Sequence, residues 1–258
     1  MSDLHSLFSS AQAAGVLTTE SSCLLSGHLG PVVVAGAAGL AAEHIVASDV
    51  TLVTVLIDKS SSIGSADLED AVRTGQNALC DAFAGSKERD GILLALWTFH
   101  HEAEVVHSYL PVEDAVRLDD RNYRAGGATH LYDTFCDALA ANVAYAETLR
   151  ASGTPCRSVV VVITDGADYG SSRKAADCAR LARDLLASEQ YVLAFVGVGG
   201  DDFRAVAKKM GIPDGCVLVQ KDATPSGMRQ VFQMVSRSAI RASKGLIRPG
   251  TTAGFFAP

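Results

Sequence analysis

The run Thr51-Leu-Val-Thr-Val-Leu-Ile57 has no polar face. A strand with one wet side alternates apolar and polar residues. A continuous apolar run fits a strand covered on both faces, as in a parallel sheet between two helical layers. This run stops abruptly at Asp58-Lys-Ser-Ser-Ser62, which sets Asp58, Ser60 and Ser62 at alternate positions at the mouth of a strand expected to be central. Oxygen donors at that density suit Mg²⁺ or Mn²⁺ far better than a soft metal.

Helical and strand patterns alternate downstream. Asp67 to Ala84 carries an apolar stripe (Leu68, Ala71, Val72, Leu79, Phe83) and predicts a helix. Gly91–Phe99 and Ala103–Tyr109 read as strands joined by the tight connection His100-His101-Glu102, so the latter is expected at an antiparallel edge. His130 to Leu149 predicts a long helix, Ser158–Thr164 a second central strand and Ser171–Ala187 another helix. Tyr191–Val198 and Cys216–Gln220 complete six strands, with a short helix over Asp202–Lys209 between them. Pro225 opens a closing helix bearing Met228, Val231, Phe232, Val235 and Ile240.

The flanks read differently, giving boundaries at 1–50, 51–243 and 244–258. Asp3 to Ala14 fits a short helix, Thr18 to Gly30 is polar and turn-like, and Val32 to Ala47 is small and apolar without a clean period. Residues 1–50 are therefore an extension, either packed onto the main domain or serving as a docking or homo-oligomerisation arm. The tail, Lys244 to Pro258, is rich in Gly and Pro and expected to be loosely held, with Phe255 and Phe256 as its anchors.

A formal charge of −7 argues against a general nucleic-acid surface, which needs clustered Lys and Arg, while leaving room for a local basic patch. No basic leader precedes the first apolar residues, and the most apolar run, Pro31 to Ala42, is too short to span a bilayer. Six scattered cysteines form no C-x-x-C pair and read as reduced thiols. A soluble cytoplasmic chain is expected.

From Thr51 to Ala242 the chain resembles the von Willebrand factor type A domain, whose members carry a metal-ion-dependent adhesion site. Asp58, Ser60 and Ser62 match that family's first metal loop. Thr129, in Arg124-Ala-Gly-Gly-Ala-Thr-His-Leu-Tyr-Asp133, matches the threonine of its second loop, and Asp165, in Val161-Val-Ile-Thr-Asp-Gly166, the aspartate of its third. Val196-Gly-Val-Gly199 followed by Asp201 and Asp202 resembles its fifth strand and exit turn. The resemblance implies an α/β fold with a doubly wound, mostly parallel six-stranded sheet, one antiparallel edge strand and helices on both faces. It also implies a bound Mg²⁺, with Mn²⁺ or Ca²⁺ as alternatives, that captures an Asp or Glu of a protein partner. For a cytoplasmic member it implies an adaptor or assembly factor, with an AAA+ ATPase or larger assembly as a candidate partner.

Two departures bear on this reading. Ser61 stands where the family usually has Gly, and Lys59 directly follows the metal aspartate, although the period of two should turn it away from Asp58. His130 is a candidate rim residue, and Asp133, one turn further on, a candidate to hold the loop by hydrogen bonds. His100 and His101 are expected to be solvated, Trp97 to lie in the core, and Gly126 and Gly127 to shape the loop rather than cradle phosphate. Two other functions stay open: a structural subunit that assembles through residues 1–50 and has a vestigial site, in which Asp58 only caps the following turn, and a metal-assisted hydrolase. The second would have to draw on His130 and Asp133, because the chain has no recognisable catalytic set.

Overall fold

The computed structural model describes residues 3–245 and 254–256. Its centre is a six-stranded sheet in the order β3-β2-β1-β4-β5-β6. The strands are β1 (Val50–Asp58), β2 (Ile92–Phe99), β3 (Ala103–Pro111), β4 (Cys156–Thr164), β5 (Tyr191–Val198) and β6 (Val217–Gln220). All neighbours pair in parallel except β2 and β3, which form the expected antiparallel edge. Every residue of β1, β2 and β5 is buried, the physical counterpart of their unbroken apolar sequences.

Alternate residues of β1 enter different cores. Leu52 and Leu56 face one layer, with Trp97, Val160 and Val162. Val53, Val55 and Ile57 face the other, with Leu94, Val159 and Val161. The first layer is built by α1 (Leu4–Ala13), α2 (Thr19–Ser26), α3 (Pro31–Ala37), α6 (Leu131–Ala151), α7 (Ala175–Ala187) and α8 (Phe203–Lys209). The second is built by α5 (Glu69–Ala84) and α9 (Pro225–Ser243), with the short α4 (Ser61–Ser65) at its upper end.

Several boundaries differ from the sequence reading. The turn-like stretch after Thr18 contains α2, with the Thr18 side chain accepting the Ser21 N–H, and the aperiodic stretch contains α3, opened by Pro31. The helix expected from Asp67 starts at Glu69, because Asp67 has a φ of 53° and turns the chain between α4 and α5. The helix expected from Ser171 starts at Ala175, because the intervening backbone is bonded to Asp133 instead. Phe255 is fully buried in the α5–α9 layer. The expectation of a loosely held tail falls on residues 246–253 and 257–258, outside those described.

Candidate metal centre

The strand order fixes where a ligand can enter. From β1 the chain runs to β2 and β3 on one side, and from β4 to β5 and β6 on the other, so order reverses between β1 and β4. In an open α/β sheet that reversal opens a crevice at the carboxyl ends of the strands. Asp58 is the last residue of β1, and Asp165 immediately follows the last residue of β4.

Their side chains belong to one closed ring of polar groups. Asp58 Oδ1 accepts the Ser60 N–H at 2.7 Å and Asp58 Oδ2 accepts the Thr164 hydroxyl at 2.5 Å. Ser60 Oγ and Ser62 Oγ are 3.0 Å apart, and the Ser62 hydroxyl donates to Asp165 Oδ1 at 2.7 Å. Thr164 and Asp165, adjacent in sequence, close the ring. Asp58 and Ser60 are buried within it, whereas Ser62 is exposed and Asp165 half-exposed at its mouth; Thr129, also buried, has no hydrogen bond to the ring among the described residues. The Tyr123 hydroxyl supports the ring by donating to the Asp58 carbonyl at 2.6 Å.

The second loop is stitched to the first by backbone bonds. Gly126 N–H donates to the Lys59 carbonyl at 2.7 Å, and Ser61 donates to the Gly127 carbonyl through its N–H (3.1 Å) and its hydroxyl (3.0 Å). Ser61 is the first residue of right-handed α4, so no glycine is needed there, and its hydroxyl adds a bond that glycine lacks. Gly127 is constrained twice: its φ is 83°, and a Cβ on it would stand 2.5 Å from His101 Nδ1. Thr129 pairs with the third loop, its carbonyl accepting the Tyr169 N–H at 2.8 Å, and its hydroxyl faces Gly166.

The remaining candidates sit around this ring. Asp133 is turned to the loop before α7, where its carboxylate accepts the N–H groups of Ser172 and Arg173, each at 2.8 Å. His130 precedes α6, its N–H donating to the His100 carbonyl and its ring lying against Gly170. Lys59 points away from Asp58 and pairs with Glu104 at 2.7 Å, as the period of two anticipates. His100 corrects the expectation of a solvated side chain. It is partly buried, stacks on His101 at 4.0 Å and accepts the Glu102 N–H, and burial with the neighbouring Lys59 charge lowers its pKa. Two contributing residues were not singled out from sequence, Thr164 and Tyr123. A polar residue closing the apolar run Val159–Ile163 is a local signal for Thr164, whereas Tyr123 reaches Asp58 across a separation that leaves no local signal.

Burial pushes the Asp58 carboxyl up to about 6, against the lowering effect of the Thr164 and Ser60 hydrogen bonds and with Asp165 adding to the rise. Burial also raises Asp165, with the Asp201 charge acting in the same direction. Two carboxylates and three hydroxyls in a crevice too dry to hold the negative charge comfortably are donors that fit a hard divalent cation. No cluster of three or more His, Cys, Asp or Glu able to hold a metal ion occurs among the described residues, so an ion here would rest on two carboxylates and the hydroxyls.

The family model for the von Willebrand factor type A domain matches residues 53–233. Among solved structures, the chain is similar to proximal thread matrix protein 1 from the mussel byssus, at 16% identity and a TM-score of 0.51, over 74% of this chain and 46% of that one. It is similar to the ArnB paralog VWA2 from Sulfolobus acidocaldarius, at 15% identity and a TM-score of 0.51, over 74% and 45%. It is also similar to the pilus adhesin SpaC from Lactobacillus rhamnosus GG, at 13% identity and a TM-score of 0.57, over 75% and 31%. The chain thus spans less than half the length of each of these structures. No curated protein matches the chain in sequence.

Proposed function

The chain belongs to the von Willebrand factor type A domain family, and from that premise we propose a metal-dependent protein-binding module for complex assembly. In this reading Asp58, Ser60, Ser62, Thr129 and Asp165 hold a divalent cation, Mg²⁺ before Mn²⁺ or Ca²⁺, and the partner offers an Asp or Glu. The observation that carries it is the hydrogen-bonded ring of Asp58, Ser60, Ser62, Asp165 and Thr164, buried at Asp58 and Ser60 and open at Ser62, at the point where the strand order reverses. A bound cation of this kind would supply an electrophilic seat for one more carboxylate. The chain's own residues do the rest. Asp58 and Asp165 supply the charge, the seryl and threonyl hydroxyls complete the donor set, and Asp133 fixes the loop that carries Asp165.

A hydrolytic role has less support. Asp133, a candidate base, is occupied by two backbone N–H groups, and the His130 ring is packed on Gly170. The described structures similar to this chain include a matrix protein and a pilus adhesin. An intracellular setting is supported by six unbonded cysteines, since such thiols persist in reducing compartments; an adaptor role toward an AAA+ ATPase or larger assembly is what the resemblance implies and rests on nothing further. Among the described residues no helix is long and apolar enough to cross a membrane.

Calorimetric titration of chelator-treated protein with Mg²⁺ and with Mn²⁺ tests the reading. Saturable binding near one ion per chain, lost in Asp58→Ala, is the expected result. Full affinity for a captured partner in excess chelator would overturn the metal bridge.

A further inference from the structure

Beside the metal loops, toward β3, lies a cleft of about 450 Å³ that the proposed function does not use. Its charged lining is Lys59, Arg121, Arg124 and Glu104, with Val116 contributing an apolar patch. Three cations and one carboxylate line the cleft, although Asp119 and Asp120 precede Arg121 at its edge and Asp119 accepts the Arg121 N–H at 2.8 Å. Lys59 is committed, its nearly buried side chain holding Glu104 at 2.7 Å. Arg121 and Arg124 are exposed, and neither has an ion-pair partner within 4 Å among the described residues. Arg124 is also fixed in place, its Nε–H donating to the Asp120 carbonyl at 2.6 Å.

The cleft and the metal centre share backbone. Lys59 follows Asp58, its carbonyl accepts the Gly126 N–H, and Arg124 lies two residues before that glycine in the loop that ends at Thr129. The cleft and the centre are thus built on the same two loops, so a partner segment that reaches past the centre along them meets the cleft. Guanidinium forks recognise carboxylates in a planar, two-bond geometry, and exposed arginines at the edge of a site steer anions toward it. We propose that the cleft binds further carboxylates of the same partner segment, so that the recognised ligand is an acidic peptide with one Asp or Glu for the centre and at least one more for Arg121 and Arg124. This rests on the proposed metal-dependent function and names its ligand class.

The test is fluorescence anisotropy with two labelled peptides, decaglutamate and a Gly-Ser peptide of equal length with a single central Glu, each in Mg²⁺ and in chelator. Both arginines are exposed, so Arg121→Gln/Arg124→Gln is expected to fold as the wild type does. In Mg²⁺ this double variant should bind decaglutamate about tenfold more weakly, a loss expected of two partly screened ion pairs, and the single-Glu peptide unchanged. Equal decaglutamate affinity in wild type and double variant would overturn the proposal and leave the metal reading standing. Conversely, decaglutamate binding that depends on the arginines but not on Mg²⁺ or Asp58 would keep the cleft and remove the metal bridge. Tighter binding of oligothymidylate than of decaglutamate would overturn the choice of peptide in favour of nucleic acid.

Discussion

Asp58 carries its charge where water reaches it least, and that has a measurable consequence. Its carboxyl is pushed up to about 6 by burial, above the 3.8 expected in an unfolded chain. The unfolded state therefore gives up its proton first as pH rises, and the metal-free fold loses stability from about pH 4 to about pH 6 and stays lower above that. The full effect at neutral pH is on the order of 3 kcal/mol. Asp58→Asn keeps the shape and removes the charge but turns one of the two accepting oxygens into an N–H donor, so the metal-free variant should melt a few degrees above the metal-free wild type at neutral pH, with the lost bond offsetting part of the gain. Mg²⁺ should stabilise only the wild type, and a variant that melts at or below the wild type in chelator would sink this account. Asp133 acts at one remove, so Asp133→Ala should weaken Mg²⁺ binding about tenfold without abolishing it, as expected when a group that orients ligands is lost. Calorimetry beside circular dichroism separates that outcome from unfolding. The positions of Asp58, Asp165 and Lys59 were legible because strand direction and a period of two place them. The Tyr123 contact was not, since it depends on a loop folding back from far along the chain.

At the level of elements, legibility followed length and burial. The sheet could be read because β1, β2 and β5 are nearly continuous apolar runs, as a two-sided core requires, whereas edge strand β3, with Glu104 and His107, was read from the tight turn before it. The helices α2 and α3 escaped because eight and seven residues are too few for a period to emerge, and Ser, Gly and Val are mediocre helix formers. What holds α3 is tertiary contact: Gly36 lies flat against the Trp97 ring, where a Cβ would overlap the ring atoms. Neither the indole nor the helix can move freely, because Trp97 is buried in the middle of β2. Gly36→Ala should therefore cost about 1–3 kcal/mol, the range for overpacking a filled core. Urea denaturation should show the lower midpoint with Mg²⁺ affinity unchanged, since α3 lies on the helical layer and not at the strand ends. An unchanged midpoint would mean that α3 is only loosely applied to β2.

On the scale of the whole molecule, the family match covers residues 53–233, yet described residues on either side of it are built into the cores. Leu7, Phe8, Val16, Leu17, Leu25 and Val33 are buried in the layer with α6 and α7. Thr18 is tied to Asp184 of α7 through both its N–H (2.9 Å) and its hydroxyl (2.6 Å). On the opposite layer Phe255 is buried against the α5–α9 pair, and its carbonyl accepts from Arg241 at 3.0 Å. Burying a large apolar side chain contributes roughly 1.5–3 kcal/mol, so the gross burial of those six N-terminal residues, before the entropy of ordering the segment, is as large as the net stability of a typical domain. Removing residues 1–45 should thus do more than separate copies of the chain. Residues 46–258 alone should show a much lower urea midpoint than the full chain, or no cooperative transition, and should expose apolar surface to a dye such as ANS. Light scattering on the same samples addresses the other role open to this segment. If it were a docking arm with little part in the core, truncation would change the mass in solution and leave the midpoint where it was. The packing described here predicts the reverse order of effects, with the loss of stability first and any change of mass arising from aggregation of the weakened fold.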